Sequence, residues 1–86
     1  MDQGANEESI GIRIRRARGY RNMGQAALAR AIGLSASSLS LIETGKTEDP
    51  ASSIVRNIAK VLRVNADFLL GLTDKIESEI QAAEAA

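Results

Sequence analysis

Apolar side chains recur every three or four residues along most of the chain, the spacing of one face of an α-helix, and Gly, Pro and Asn punctuate the runs. No segment alternates apolar and polar residues over several positions, so no strand is expected. A first helix is expected over residues 8–20, with Ile10, Ile14, Ala17 and Tyr20 on one face and arginines on the other. Asn22 suits the left-handed conformation that ends a helix. A second helix is expected over residues 25–32, where four alanines favour the helix and Leu28 and Ile32 face inward. Gly24 is a permissible but weak cap for it. Gly33 ends it, because glycine takes positive φ without a Cβ clash, and Leu34 plugs the turn.

Ser35 is a good cap for a third helix over residues 36–44, its hydroxyl free to accept from the amide of Ser38, with Leu39 and Ile42 pointing inward. A loop over 45–50 leads to a fourth helix over 51–62, whose buried stripe is Ile54, Val55, Ile58, Val61 and Leu62. Asn65 caps a short fifth helix over 66–70 that adds Phe68 and Leu69 to the core. The pattern predicts an all-α fold, a compact bundle of five short helices. Residues 1–8 are expected to be a flexible arm and residues 9–72 the folded domain. The tail, 73–86, carries Ile76, Ile80 and Ala83 at helical spacing, so it is either a sixth helix involved in dimerisation or a frayed end.

Eighty-six residues predict one domain with a modest core and little room for a deep cavity. The chain has no Cys and no His, which excludes thiol chemistry, disulfides, imidazole catalysis and the usual zinc sites. The serines lack an adjacent base and there is no glycine-rich phosphate loop, so an enzyme is not expected, nor a metal, cofactor or small-molecule ligand. No apolar run approaches the roughly 20 residues that span a bilayer, and the first residues lack the pattern of a signal peptide. A cytoplasmic protein is expected.

The net charge is zero, but its distribution is uneven. Between Ile10 and Lys46 the cations are Arg13, Arg15, Arg16, Arg18, Arg21, Arg30 and Lys46, and Glu43 is the sole acid. A basic first half and an acidic second half fit a polyanion-binding surface, or a solvated basic face on the first helix.

Residues 25–46 read QAALARAIGLSASSLSLIETGK, two short helical patterns joined by a tight turn at Gly33. Gln25, Leu28, Ala29, Gly33, Leu34, Ser35, Leu39, Ser40, Ile42, Glu43, Gly45 and Lys46 stand at the spacing of the helix-turn-helix in the lambda-repressor and Cro-like transcription regulators, which this stretch resembles. Arg18, Pro50, the run Ile58-Ala59-Lys60 and the run from Asp67 to Gly71 extend the resemblance over residues 10–72. It implies a recognition helix over 36–44 that presents Ala36, Ser37, Ser38, Ser40 and Leu41 to the major groove of double-stranded DNA. It implies phosphate contacts from Gln25, Arg18, Ser35 and Lys46, and an ion pair between Arg18 and Glu43. Gln25 is otherwise an ordinary first-turn residue, and the ion pair is otherwise plainly structural.

Two features depart from the family pattern. Base reading usually relies on Arg, Asn or Gln making two hydrogen bonds to one base, and none stands at the five base-facing positions. Ala36 and Leu41 suit thymine methyls, and the serines discriminate little, so shape-led or water-mediated reading is expected. Glu48 and Asp49 follow Lys46 in a loop where the family often places cations, and they are candidates to cap the fourth helix instead. The leading expectation is a homodimeric, sequence-specific transcriptional regulator on operator DNA, with Phe68, Leu70, Leu72, Ile76 and Ile80 as candidate dimer residues. The alternative is an antitoxin-like or adaptor module that keeps the fold and binds protein.

Overall fold

The computed structural model describes residues 8–77, which form five α-helices. These are α1 (Ile10–Arg21), α2 (Gln25–Ala31), α3 (Ala36–Glu43), α4 (Ser52–Leu62) and α5 (Ala66–Leu69). The expected arm over residues 1–7 and the tail beyond Glu77, including Ile80, lie outside the described residues.

Local chemistry sets most of the boundaries. The Ser9 hydroxyl accepts from the Ile12 amide at 3.2 Å, so α1 starts two residues later than the apolar pattern suggests. Asn22 closes α1 in the left-handed region, at φ 57°. The Ser35 hydroxyl accepts from the Ser38 amide at 3.1 Å and starts α3. Gly33, at φ 76°, reverses the chain after α2 while the Leu34 amide donates to Ala29 O at 2.9 Å. Ala51 precedes α4 without a side-chain cap, so Glu48 and Asp49 do not cap it; both are exposed.

All five helices feed one core. Ile14, Leu28, Leu39, Ile58, Leu62, Phe68 and Leu69 are its largest fully buried side chains. Burying each such side chain stabilises by about 1.5–3 kcal/mol. Ala29 is 1% exposed where α2 meets α3, and Ala17 is fully buried where α1 enters the core. Ile54 and Val61 flank the buried stripe of α4 rather than sharing it, and Ala59 joins it.

Two expectations about α1 and the tail are corrected. Tyr20 is 49% exposed, and Arg13 takes a place on the inner face at 7% exposure. Positions 10, 13, 14 and 17 share one face of a helix, so Arg13 cannot reach the outer face with the other arginines. Its guanidinium packs 4.8 Å from the Phe68 ring centre and donates to Phe68 O at 3.0 Å, Thr73 O at 2.8 Å and Asp74 at 2.9 Å. Residues 73–77 form no helix; they fold back on the domain, where the Asn65 amide donates to Ile76 O at 2.7 Å. Phe68, expected in the core and also named as a dimer candidate, is 1% exposed in the core, and Ile76 is half-buried against that core.

Candidate nucleic-acid interface

The chain bends by 111° between α2 and α3, within the range of a helix-turn-helix. Leu28 and Ala29 of α2 meet Leu39 and Ile42 of α3 in the core, which leaves the opposite side of α3 to solvent. Ala36, Ser37, Ser38 and Leu41 are exposed there, Leu41 by 45%, and Ser40 is half-buried. The five residues expected to face a groove therefore share one accessible surface.

Hydrogen bonding limits what the serines offer. The Ser35 hydroxyl accepts from the Ser38 amide and donates to the Ser38 hydroxyl at 3.0 Å. Ser35 is thus committed to starting the helix, while the Ser38 hydroxyl keeps its own proton to donate outward. Leu41 is the largest apolar group on the face, suited to van der Waals contact rather than to a hydrogen-bond code.

Behind the face lies a charged cluster joining three helices. The Arg18 guanidinium donates from Nε to Glu43 Oε2 at 2.7 Å and from Nη2 to Glu43 Oε1 at 2.9 Å. Its Nη1 donates to Met23 O at 3.0 Å, in the α1–α2 turn. Gln25 donates from Nε2 to the same Glu43 Oε1 at 3.0 Å. The Glu43 side chain is 2% exposed and that of Arg18 19%. The hydrogen bonds to Glu43 hold the Arg18 pKa above its usual value, with burial opposing them in part. The ion pair expected between these residues is present, and it pins the end of α3 to α1 and to the start of α2.

This cluster changes the expected phosphate contacts. Each nitrogen of the Arg18 guanidinium donates once within the protein, so Arg18 holds the scaffold, with one further N–H left on each of Nη1 and Nη2. Gln25 is half-buried and tied through one amide hydrogen, which leaves its carbonyl oxygen and second hydrogen available. Lys46 is exposed just past α3, beside the exposed Glu48 and Asp49.

Two contributors carry no motif signature. Gly11 lies against the end of α3, where backbone meets backbone: a Cβ on it would sit 2.3 Å from Ile42 O and 2.6 Å from Glu43 O. The signal for it is a glycine within a helical stripe, which propensity disfavours and close approach explains. Arg13 clasps the segment after α5, and its place on the apolar face at the 3.6-residue period is the signal that could have located it. Leu70 and Leu72 are 50% and 72% exposed and remain the accessible members of the expected dimer set. Among the described residues no acidic cluster could hold a metal ion, and no single helix is long and apolar enough to cross a membrane.

Comparison with known proteins agrees with this geometry. A helix-turn-helix domain family model matches residues 9–69. The N-terminal DNA-binding domain of SinR from Bacillus subtilis is similar at 31% identity, over 71% of this chain and 88% of that one, with a TM-score of 0.66. The DNA-binding domain of the P22 c2 repressor is similar at 30% identity, over 88% and 97%, with a TM-score of 0.72. The same repressor in complex with a synthetic operator is similar at 32% identity, over 77% and 98%, with a TM-score of 0.68. No curated protein sequence matches the chain. With the matched segment spanning all five helices and the α2–α3 pair held as the motif requires, the chain belongs to the lambda-repressor-like helix-turn-helix family of DNA-binding domains.

Proposed function

We propose that the protein is a transcriptional regulator that binds operator DNA as a homodimer, with α3 in the major groove. The observation that carries this reading is the solvent-facing side of α3, held at its far end by the Arg18–Glu43–Gln25 cluster. A helix offered to a groove must keep its position under the pull of phosphates, and a bidentate ion pair at 2% carboxylate exposure supplies that fixity.

Phosphate contacts are assigned to Gln25, through the amide atoms Glu43 leaves free, and to Lys46. Base contacts are assigned to Ser37, Ser38, Ser40, Leu41 and Ala36, with Ala36 and Leu41 against thymine methyls. No residue of this set makes a two-bond base contact, so direct discrimination is modest and sequence-dependent DNA shape contributes much of the selectivity. One domain offers few base contacts, and pairing on half-sites about one helical turn apart compensates for that. The adjacent exposed Leu70 and Leu72 are the assigned dimer surface. The repressor–operator complex of the P22 relative supports the DNA partner. Action on DNA implies a cytoplasmic location and no catalytic role.

Selection of bound duplexes from a random pool tests the reading. The expected result is an enriched palindrome with half-sites about 10–10.5 base pairs apart and degenerate positions within each half. A pool that stays random through successive rounds contradicts it. A second reading, an adaptor that binds protein through the same face, is favoured by exposed Leu41 beside acidic Glu48 and Asp49. Salt-insensitive capture of a protein partner by the α3 face would decide for it.

A further inference from the structure

Helix α1 carries five arginines, and the described residues account for four of them. Arg13 is buried on Phe68 and Thr73. Arg16 pairs with Glu8. Arg18 holds Glu43. Arg21 donates to Leu62 O and Arg63 O, both at 2.8 Å, and so closes the end of α4. Arg15 is exposed and pairs with no acid among the described residues. It lies four residues after Gly11 and three before Arg18, on the side of α1 that runs along the end of α3.

Arg15 lines an open groove of about 670 Å³ together with Ile12, Arg16, Gly19, Met23 and Gly24. Ile12, 41% exposed, and half-buried Met23 give the groove an apolar part among its arginines and Asn22, and the lining includes no acid. Gly19 lines the groove, and a Cβ on it would meet nothing within 4 Å. The groove ends at Met23 and Gly24, immediately before Gln25, and Arg18 forms its inner wall. It is therefore continuous with the surface assigned above to phosphates.

We propose that this groove takes the sugar–phosphate backbone of DNA flanking the base-reading contact, with Arg15 as its anchoring cation. The inference rests on the DNA-binding reading and adds a phosphate subsite to it. The Arg18 charge is offset by its pairing with Glu43, whereas Arg15 pairs with no acid among the described residues and brings its full charge to the groove. Guanidinium groups match phosphate oxygens with two parallel donors, and Ile12 and Met23 offer apolar contact to the deoxyribose between phosphates.

The test is binding of the full chain to a labelled duplex from the selected pool, and to a scrambled duplex, across a salt series. Arg15→Gln is expected to weaken binding on both duplexes alike and to flatten the slope of log affinity against log salt by about two, one contact being lost from each protomer of the dimer. Arg15→Lys is expected to keep the slope. Gly19→Glu, which places an anion in the groove, is expected to weaken binding, and Gly19→Ala to leave it unchanged. An Arg15→Gln variant with wild-type melting and wild-type slope overturns the subsite while leaving the DNA reading intact. Loss on the selected duplex alone, with the slope kept, also overturns it, because that pattern marks a base contact. Binding of an acidic peptide that depends on Arg15, with DNA binding unaffected, assigns the groove to protein and overturns the subsite too. A wild-type chain that binds neither duplex overturns the DNA reading itself.

Discussion

Gly11 and Ile42 approach so closely that a Cβ on Gly11 would stand 2.3 Å from the Ile42 carbonyl oxygen. That contact sets the distance between α1 and the end of α3, and so the pose of the helix assigned to the groove. Gly11→Ala is expected to lower stability by about 1–3 kcal/mol through overpacking against backbone, which cannot rotate away. Gly19→Ala, in the same helix with open space around it, is expected to raise stability by up to about 1 kcal/mol. Urea midpoints of the two variants check the contrast; equal shifts of one sign contradict it.

Removing one partner of the Arg18–Glu43 pair leaves a largely buried charge behind. Arg18→Met is expected to cost about 3 kcal/mol, and the double variant Arg18→Met with Glu43→Leu less than the sum of the two single changes. Because the Arg18 pKa is raised, the sign is fixed: its contribution is complete below the ordinary arginine value and is lost only as pH rises beyond it. The penalty of Arg18→Met relative to wild type, read from denaturant midpoints, should therefore show no dependence on Arg18 titration between pH 5 and 9. A penalty that vanishes within that window contradicts this role.

Arg13 binds the returning tail through two backbone carbonyls and Asp74. Arg13→Ala is expected to cost about 2 kcal/mol, because the Thr73 carbonyl loses its donor and the Phe68 carbonyl is left with the Gly71 amide alone. Asp74 is 93% exposed, so Asp74→Ala should cost under about 1 kcal/mol. Thermal melting of both variants separates the carbonyl contacts from the surface pair.

Tyr20 is the one tyrosine in a chain without Trp, which makes its ionisation directly readable by absorbance. Its hydroxyl donates to Glu77, and that hydrogen bond, with smaller help from desolvation and the Glu77 charge, raises its pKa against the opposing Arg21 charge. The midpoint is expected above the usual tyrosine value of about 10, and Glu77→Ala is expected to return it there. Since the folded pKa is raised, the contact stabilises fully below the unfolded value and is lost as pH climbs through the folded one. A wild-type midpoint at the ordinary value contradicts docking of residues 73–77 beside α1.

The helices and their caps were largely legible because the forces that set them are local. The Ser35 cap, the Asn22 reversal and the Gly33 turn each follow from a side chain acting on backbone within a few residues. Phe68 was legible as core from its place in the short fifth helix, and it is 1% exposed. Arg13 and Gly11 were not legible, because their roles depend on which elements pack together. A charged residue on the apolar face of α1 becomes legible only when Phe68 and Thr73 arrive to receive it. At the candidate site the motif located α3 and the ion pair, but not that Glu43 offsets the Arg18 charge while Arg15 on the same helix pairs with no acid among the described residues.

The central claim is phosphate-positioned docking with modest base discrimination, and affinity measured against salt on selected and scrambled duplexes tests it most directly. With each cationic phosphate contact contributing about 0.9 to the slope, Lys46 and Arg15 of both protomers make four contacts, and a slope of about −3.6 or steeper is expected on both duplexes. The selected duplex is expected to bind about 10³-fold tighter, at the low end for sequence-specific proteins. A flat salt dependence, or the absence of binding to either duplex at low salt, would contradict the account.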